Sequence, residues 1–439
     1  MDLRTYGPPD PRPHGPLSRE EIAKLEIGVT NIGRGVALAL CAGFIAMMTV
    51  IPVFELSRAA AGDEAAASPW RRLAAIPSEA ASREGLFATN RAVLEGLHQF
   101  EDSLEDESRL GQTLRPGAQQ LLTGVLGAGN EQAYVGRDRW LFYRPDVEYV
   151  TGRGFLQPDV LARRVRGAQE WTTPPRPDPR PAIVELHRDL AARGITLIVM
   201  PVPVKPTVHP EMLADDFGHG ALSQNPDYAR FMDDLRREGV LVFDVAAVIL
   251  SARSASDVSQ YLATDTHWRP EAMERVADHL AGLIHDSVEL TLTANPVYRT
   301  SAVDVTSRGD IFGMLDLPAD QPLYSPETVT VRRILQQDGS PWRSSPDADV
   351  LLLGDSFANI YSLESMGWGT SAGLAEQLSF ALSRPVDRMV QNDAGSFATR
   401  EMLARAEPSR LAPKRVVVYQ FAARELAFGD WKLLGVPPP

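Results

Sequence analysis

Two short stretches, far apart along the chain, hold the residue types that cooperate in acyl chemistry. The first, Val350 to Tyr361, reads V-L-L-L-G-D-S-F-A-N-I-Y. Its four apolar residues before Gly354 predict a short buried strand, Gly354-Asp355-Ser356 a turn, and Phe357 onward a helix. Ser356 then stands where a strand ends and a helix begins, beside unpaired backbone N–H groups. A serine so placed acts as a nucleophile next to part of its own oxyanion site, or serves simply as the helix N-cap. The second stretch is Thr264-Asp265-Thr266-His267-Trp268. In an extended segment residues i and i+2 point to the same side, so Asp265 can accept from one nitrogen of His267 and leave the other free as a base. The plainer alternative is an Asp N-cap beside a surface histidine. Taken together, the two stretches supply all parts of a serine hydrolase or acyltransferase.

The elements that must position these residues alternate between helix and strand. Helical spacing covers Ile183 to Arg193, Phe231 to Gly239, Glu271 to His285, Ala372 to Leu382 and Ala398 to Ala406. Strand-like runs cover Ile195 to Val202, Val240 to Asp244, Val350 to Leu353, Val386 to Gln391 and Arg415 to Phe421. Two further strand-like pieces flank a Gly-Arg-Asp-Arg turn between Ala133 and Tyr143. Such alternation predicts an α/β fold, a parallel sheet with helices on both faces. In these sheets the site lies at the C-terminal strand ends. There is no internal repeat, and the segment Gly124 to Gly127 lacks the Lys and preceding strand of a phosphate-binding loop.

Residues 1–34 form a polar tail: 1–17 are rich in Pro and Gly and read as disordered, and Ser18-Arg19-Glu20-Glu21 fits a capping box. Gly35 to Phe54 contains no charged residue. Twenty residues at about 1.5 Å each span about 30 Å, the thickness of a bilayer's hydrocarbon core. The expectation is a single transmembrane anchor over 35–55. A cleavable leader fits less well, because the preceding stretch is long and holds Glu20, Glu21 and Glu26. Residues 56–129 read as an Ala-rich linker (56–68) followed by amphipathic helix with acidic, solvated turns. The folded domain is expected over 130–439.

Composition narrows the function. The 439 residues are 44% apolar and 23% charged, an ordinary globular balance, with a formal net charge of -13. That charge argues against nucleic acid as a partner, since phosphate-binding surfaces need clustered Lys and Arg. The single cysteine, Cys41, lies in the apolar segment. Disulfides, thiolate zinc sites and cysteine nucleophiles are thereby removed from the rest of the chain. His209 and His219 flank Asp215 and Asp216 at a spacing that fits no zinc motif, so no metal and no cofactor is expected.

The chain resembles the AlgJ/AlgX type of alginate O-acetyltransferase, whose members carry an SGNH-hydrolase-like domain. The resemblance runs in order through Val135-Gly136-Arg137-Asp138-Arg139-Trp140-Leu141-Phe142, Val202-Pro203-Val204-Lys205 with Pro210-Glu211-Met212-Leu213, and Thr264 to Trp268. It continues through Arg308-Gly309-Asp310-Ile311-Phe312-Gly313-Met314-Leu315, Gly354-Asp355-Ser356-Phe357, Phe421-Ala422-Ala423-Arg424-Glu425-Leu426 and Gly429-Asp430-Trp431. The resemblance implies Ser356 as nucleophile, His267 as general base and then acid, and Asp265 as orienting carboxylate. It places oxyanion or substrate contacts near Asn392 and Gly395, at Gln420 or Arg424, and at Lys205 and Trp268. An asparagine that SGNH esterases would offer near Gln420 and Arg424 is missing here.

The implied protein is an inner-membrane, single-pass enzyme with a periplasmic catalytic domain that acetylates an exopolysaccharide. Its implied partners are the polysaccharide, a membrane-bound O-acyltransferase (MBOAT) relaying the acetyl group, and a polymer synthesis and export complex. Two rival readings use the same residues differently. One is an acetylesterase with the same Ser-His-Asp set, and the other a non-catalytic scaffold or glycan-binding subunit. The net charge sits awkwardly with a polyanionic substrate unless the groove is locally basic.

Overall fold

The computed structural model describes residues 33–82, 85–167, 173–214, 223–255, 258–290, 296–392 and 395–436. The tail through residue 32, the Ser18 capping box, the Asp215, Asp216 and His219 cluster, and Asp393-Ala394 lie outside the described residues. The chain divides into two units, Met1–Gln112 and Thr113–Pro439.

In the first unit, α1 (Arg34–Ala60) is long and apolar enough to cross a membrane. Its apolar stretch is not buried among the described residues. Residues 56–68 differ from the linker expected of them: they form the end of α1 and the start of α2 (Glu64–Ala81). Alanine is the best helix former, and Asp63 caps the new helix by accepting from Ala65 N and Ala66 N at 3.1 and 3.3 Å. Helix α3 (Leu86–Glu107) packs against α2, with the rings of Trp70 and Phe100 5.4 Å apart.

The second unit begins its sheet structure with a hairpin, β1 (Ala133–Val135) and β2 (Leu141–Tyr143). Helix α4 (Pro179–Ala191) starts four residues earlier than the periodicity predicts, because Asp178 caps Arg180 N at 3.0 Å and Pro179 suits the first helical position. Strand β3 (Thr196–Val202), α5 (Tyr228–Arg237), β4 (Leu241–Val242) and α6 (Pro270–Ser287) follow. Then come β5 (Arg299–Ser307), β6 (Glu327–Leu335), β7 (Val350–Gly354), the one-turn helix α7 (Ser356–Asn359), α8 (Leu374–Leu382), β8 (Asp387–Val390) and β9 (Val416–Ala422).

Five strands make one parallel sheet in the order β4-β3-β9-β7-β8. Alternate residues of each central strand feed two separate cores, one on each face. Ile198, Met200, Leu352 and Val418 join a cluster with Met273 and Leu280 of α6 and Leu374 and Leu378 of α8. Leu197, Val199, Leu351 and Val417 join a second with Ile183 and Leu186 of α4 and Phe231 and Leu235 of α5. Burial on both faces is why these strands read as unbroken apolar runs rather than alternating ones. The antiparallel pair β5-β6, in register from Arg299↔Leu335 to Ser307↔Glu327, was not anticipated; β5 has no buried residue, so its sequence carries no core signal.

Candidate active site

Ser356 opens α7 directly beyond the C-terminal end of β7, and its residue is 8% exposed. The turn that carries it is fixed by Asp355. One carboxylate oxygen accepts from Phe357 N at 2.9 Å and from Gln420 Nε2 at 2.7 Å, and the other accepts from Ala422 N at 2.7 Å. Asp355 N donates in return to Gln420 Oε1 at 3.0 Å. The end of β7 is thus tied to the end of β9. Gly354 is required by close approach: a Cβ there would meet Ala358 Cβ at 2.7 Å and Gln420 Oε1 at 2.8 Å.

Asp265 and His267 come together through a tight loop rather than through the pleat of an extended segment. The bridge Tyr261↔Trp268 closes the loop, and Leu262 N donates to the His267 carbonyl. Asp265 Oδ1 accepts from the His267 backbone N–H at 3.0 Å and lies 2.7 Å from His267 Nδ1. Its Oδ2 accepts from Trp368 Nε1 at 2.8 Å and Asp310 N at 3.0 Å. The second approach is allowed by Gly309, at φ +79, where a Cβ would strike the Thr264 carbonyl at 2.5 Å. Asp310 in turn accepts from Thr266 N at 2.7 Å and from the Thr266 hydroxyl, and its Oδ2 lies 3.6 Å from His267 Nδ1.

The electrostatics follow from this packing. Burial pushes the Asp265 carboxyl up, but the charge and hydrogen bond of His267 outweigh it and hold it at about 2. Burial is also the largest influence on His267, pushing it down; the Asp265 charge and hydrogen bond, with the Asp310 charge, together carry it above its ordinary value. Asp310, pushed up by burial and by the neighbouring Asp265 charge, sits at about 6. A carboxylate at Nδ1 fixes the tautomer that leaves Nε2 as the basic nitrogen. Nε2 is buried and has no hydrogen-bond partner among the described residues. Ligand-type atoms of Asp265, His267 and Asp310 lie within 4.8 Å of one another. His267 Nδ1 and both Asp265 oxygens are already spent on each other and on N–H donors, an arrangement suited to orienting an imidazole with Nε2 left open.

Ser356 and His267 line one cleft of about 530 Å³, together with Asp265, Asp310, Asn392 and Arg424. The His267 ring packs on Phe357, the residue after the serine, with centroids 4.7 Å apart. Ser356 and His267 are not hydrogen-bonded to each other, a looseness common in unliganded sites. A second hollow of about 50 Å³ shares Ser356 and Arg424 and is lined by Gly395, at φ +72. Asn392 accepts from Asn359 Nδ2 at 3.2 Å. Arg424 pairs with the fully buried Asp146 at 3.0 Å and lies 5.2 Å over the Tyr143 ring.

Three of the expected contacts are engaged within the fold. Gln420 spends both ends of its amide on Asp355, so its side chain braces the turn and is not offered to an oxyanion. Lys205 is fully buried and donates to the carbonyls of Leu141 and Ala263 at 2.8 and 3.2 Å, away from the cleft. Trp268 is also buried; its Nε1 donates to the Phe357 carbonyl at 3.1 Å, tying the histidine loop to α7. His209 uses both ring nitrogens, one facing Glu211 at 3.3 Å and the other accepting from Gln260 N at 3.0 Å.

A profile of the family described as SGNH hydrolase-like domain, acetyltransferase AlgX, matches residues 133–423. The chain belongs to this family. Its relatives include proteins named probable alginate O-acetylase AlgJ. The one from Pseudomonas aeruginosa is 25% identical over 337 residues, covering 75% of this chain and 79% of that protein. The one from Azotobacter vinelandii is 24% identical over 354 residues, covering 77% and 81%. The structure of the O-acetyltransferase domain of Pseudomonas putida AlgJ superposes with a TM-score of 0.51 at 22% identity, covering 68% of this chain and 93% of that one. That likeness establishes the shared SGNH-like fold.

In this AlgX-type domain, three residues at the site escaped the sequence reading as participants. Asp310 sits inside the Arg308-Gly309-Asp310 match, and a glycine directly before an acid was the available signal. Trp368 and Asp146 reach the site over separations of 103 and 278 residues from their partners, and no local pattern marks them.

Proposed function

We propose that the chain is an anchored, extracytoplasmic O-acetyltransferase that carries an acetyl group on Ser356 and passes it to a hydroxyl of an exopolysaccharide. The observation that carries this reading is one cleft holding Ser356 and His267, with Nδ1 committed to Asp265 and Nε2 unpartnered. Membership of an acetyltransferase family and relatives named as O-acetylases support the group transferred.

In the proposed cycle Ser356 Oγ attacks the carbonyl carbon of a donor acetyl ester while His267 Nε2 takes the hydroxyl proton. The Ser356 N–H, unbonded among the described residues, and the Gly395 N–H receive the oxyanion. The donor alcohol leaves with the proton from His267, and an ester on Ser356 remains. A sugar hydroxyl then gives its proton to His267, attacks that ester, and departs acetylated as Ser356 regains its proton. The helix Arg34–Ala60 serves as the single-pass anchor, with residues 130–439 on the periplasmic side. A membrane-bound O-acyltransferase delivers the donor acetyl group within a polymer-export assembly, as the family resemblance implies.

The test is incubation of the full-length chain with a chromogenic acetyl ester and a glycan, followed by mass analysis. The expected result is one added acetyl group on the peptide containing Ser356, chased onto the glycan, and absent in Ser356→Ala. Acetylated glycan formed undiminished by Ser356→Ala would overturn the reading. Acetate released at a rate indifferent to glycan would instead identify an esterase.

A further inference from the structure

The helix Arg109–Leu126 is packed inside out. Its buried residues are polar: Gln119 Nε2 donates to the Thr123 hydroxyl at 2.9 Å and to the Gly129 carbonyl at 3.2 Å, and the Thr123 hydroxyl donates to the Ala128 carbonyl at 2.9 Å. The opposite face carries Leu114, Ala118, Leu121, Leu122 and Val125, spaced i, i+4, i+7, i+8 and i+11 as one helical stripe. That stripe is exposed, Leu121 by 64% and Val125 by 71%. A helix of a globular domain turns such a stripe inward, and a contiguous apolar patch facing outward marks an interaction surface. The place where the helix begins bears on what covers it. Glu55 is the first charged residue after the uncharged run Gly35 to Phe54 of α1, so it marks the level at which α1 leaves the hydrocarbon. Ser108, the residue just before the helix, donates from its hydroxyl to Glu55 Oε1 at 3.0 Å; both are buried and both belong to the first unit.

We propose that this stripe is seated in the boundary between headgroups and acyl chains of the membrane that α1 crosses, so that one helix spans the bilayer and a second lies on it. The inference rests on α1 being the membrane anchor. Chain length keeps the stripe near that membrane: at about 1.5 Å per helical residue, Leu114 and Leu121 lie about 9 and 20 Å along the helix from Ser108. A surface-lying helix buries its apolar side chains to a depth of about 5–10 Å and keeps its cations among the headgroups. Arg109 and Arg115, with no acidic residue in the helix, suit an anionic lipid. The polar face is already spent on Ala128 and Gly129, which leaves the apolar face as the one open to lipid.

The experiment uses the full-length chain with Cys41→Ala as background, reconstituted into vesicles of phosphatidylcholine and phosphatidylglycerol. Leu121→Cys, Val125→Cys and, for comparison, Gln337→Cys in the exposed turn after β6 each receive a nitrobenzoxadiazole probe. Lipid bearing a nitroxide high on its acyl chain is the quencher. The expected result is blue-shifted emission from the Leu121→Cys and Val125→Cys probes, about half or more of it quenched by the nitroxide lipid, with neither change at Gln337→Cys. Unshifted, unquenched emission from both helix probes, or equal quenching at Gln337→Cys, would overturn the inference. A blue shift without quenching would also overturn it and assign the stripe to a protein surface such as a second copy. Retention of the chain in the vesicles through an alkaline carbonate wash is read separately. If the chain washes off, the anchor reading falls and the inference with it. If it is retained and the helix probes stay unquenched, only the present inference falls.

Discussion

Asp310 Oδ2 lies 3.6 Å from His267 Nδ1, the same nitrogen that Asp265 Oδ1 holds at 2.7 Å. One imidazole edge therefore faces two carboxylates, one deeply satisfied by N–H donors and one in contact with the cleft. The two titrate in opposite directions, Asp265 to about 2 and Asp310 to about 6. Of the two acids, Asp265 is the one held ionised by the imidazole and Asp310 the more readily protonated.

The pH dependence of acyl transfer follows with its sign. His267 must be neutral to accept a proton, and its pKa lies above the ordinary value, so kcat/KM is expected to fall as pH drops through that raised pKa. In Asp265→Asn the opposing influence, burial, is left to dominate, and the acidic limb should move to lower pH. The maximal rate should fall by about 10³–10⁴, as expected when the tautomer is no longer held. A pH profile with a chromogenic ester decides the matter; a limb that stays in place would separate His267 from Asp265.

Asp310→Asn should behave differently. An amide oxygen can still accept from Thr266 N, so the loop stays positioned, but the negative charge near Nδ1 is gone. The acidic limb is expected to shift to lower pH, less than in Asp265→Asn, with a maximal rate within about tenfold of the parent. A large loss of rate with an unmoved profile would mean that Asp310 acts only by holding the loop.

Lys205 yields a stability prediction. Its ammonium bridges two buried carbonyls, and burial pushes its pKa down to about 8. Lys205→Ala leaves the Leu141 carbonyl without its ammonium partner, leaves the Ala263 carbonyl with the Leu141 N–H alone, and opens a cavity, an expected loss of about 2–4 kcal/mol in thermal or denaturant unfolding. The KM for acceptor should stay unchanged. A raised acceptor KM with intact stability would restore Lys205 as a substrate contact.

Much of this domain is legible in the sequence because its central strands are buried on both faces. Leu197 to Val202, Val350 to Leu353 and Val416 to Phe421 are short unbroken apolar runs alternating with helical segments, the pattern of interior parallel strands, and their C-terminal ends mark the site. Asp265 and His267 are legible as a pair, although the two-residue spacing works here through a turn closed by Tyr261 and Trp268 rather than through pleating. Gln420 shows where the reading stops. A polar residue late in an apolar strand looks like a ligand contact, yet tertiary packing directs its amide into the neighbouring turn. Trp368 and Asp146 follow the same logic in reverse: they are ordinary residues along the chain, made consequential by folding alone.

The brace built from Asp355, Gln420 and Ala422 has a consequence for how such a protein can be re-engineered. The support of Ser356 comes from the sheet interior, whereas that of Asp265 comes from Asp310, just past the β5 end, and from Trp368, between α7 and α8. Nucleophile and histidine are thus held by different segments. Exchanging the segments that follow β5 and α7 between family members would therefore unsettle the imidazole while the nucleophile keeps its footing, so redesign of such a site is better begun with single side chains than with whole segments.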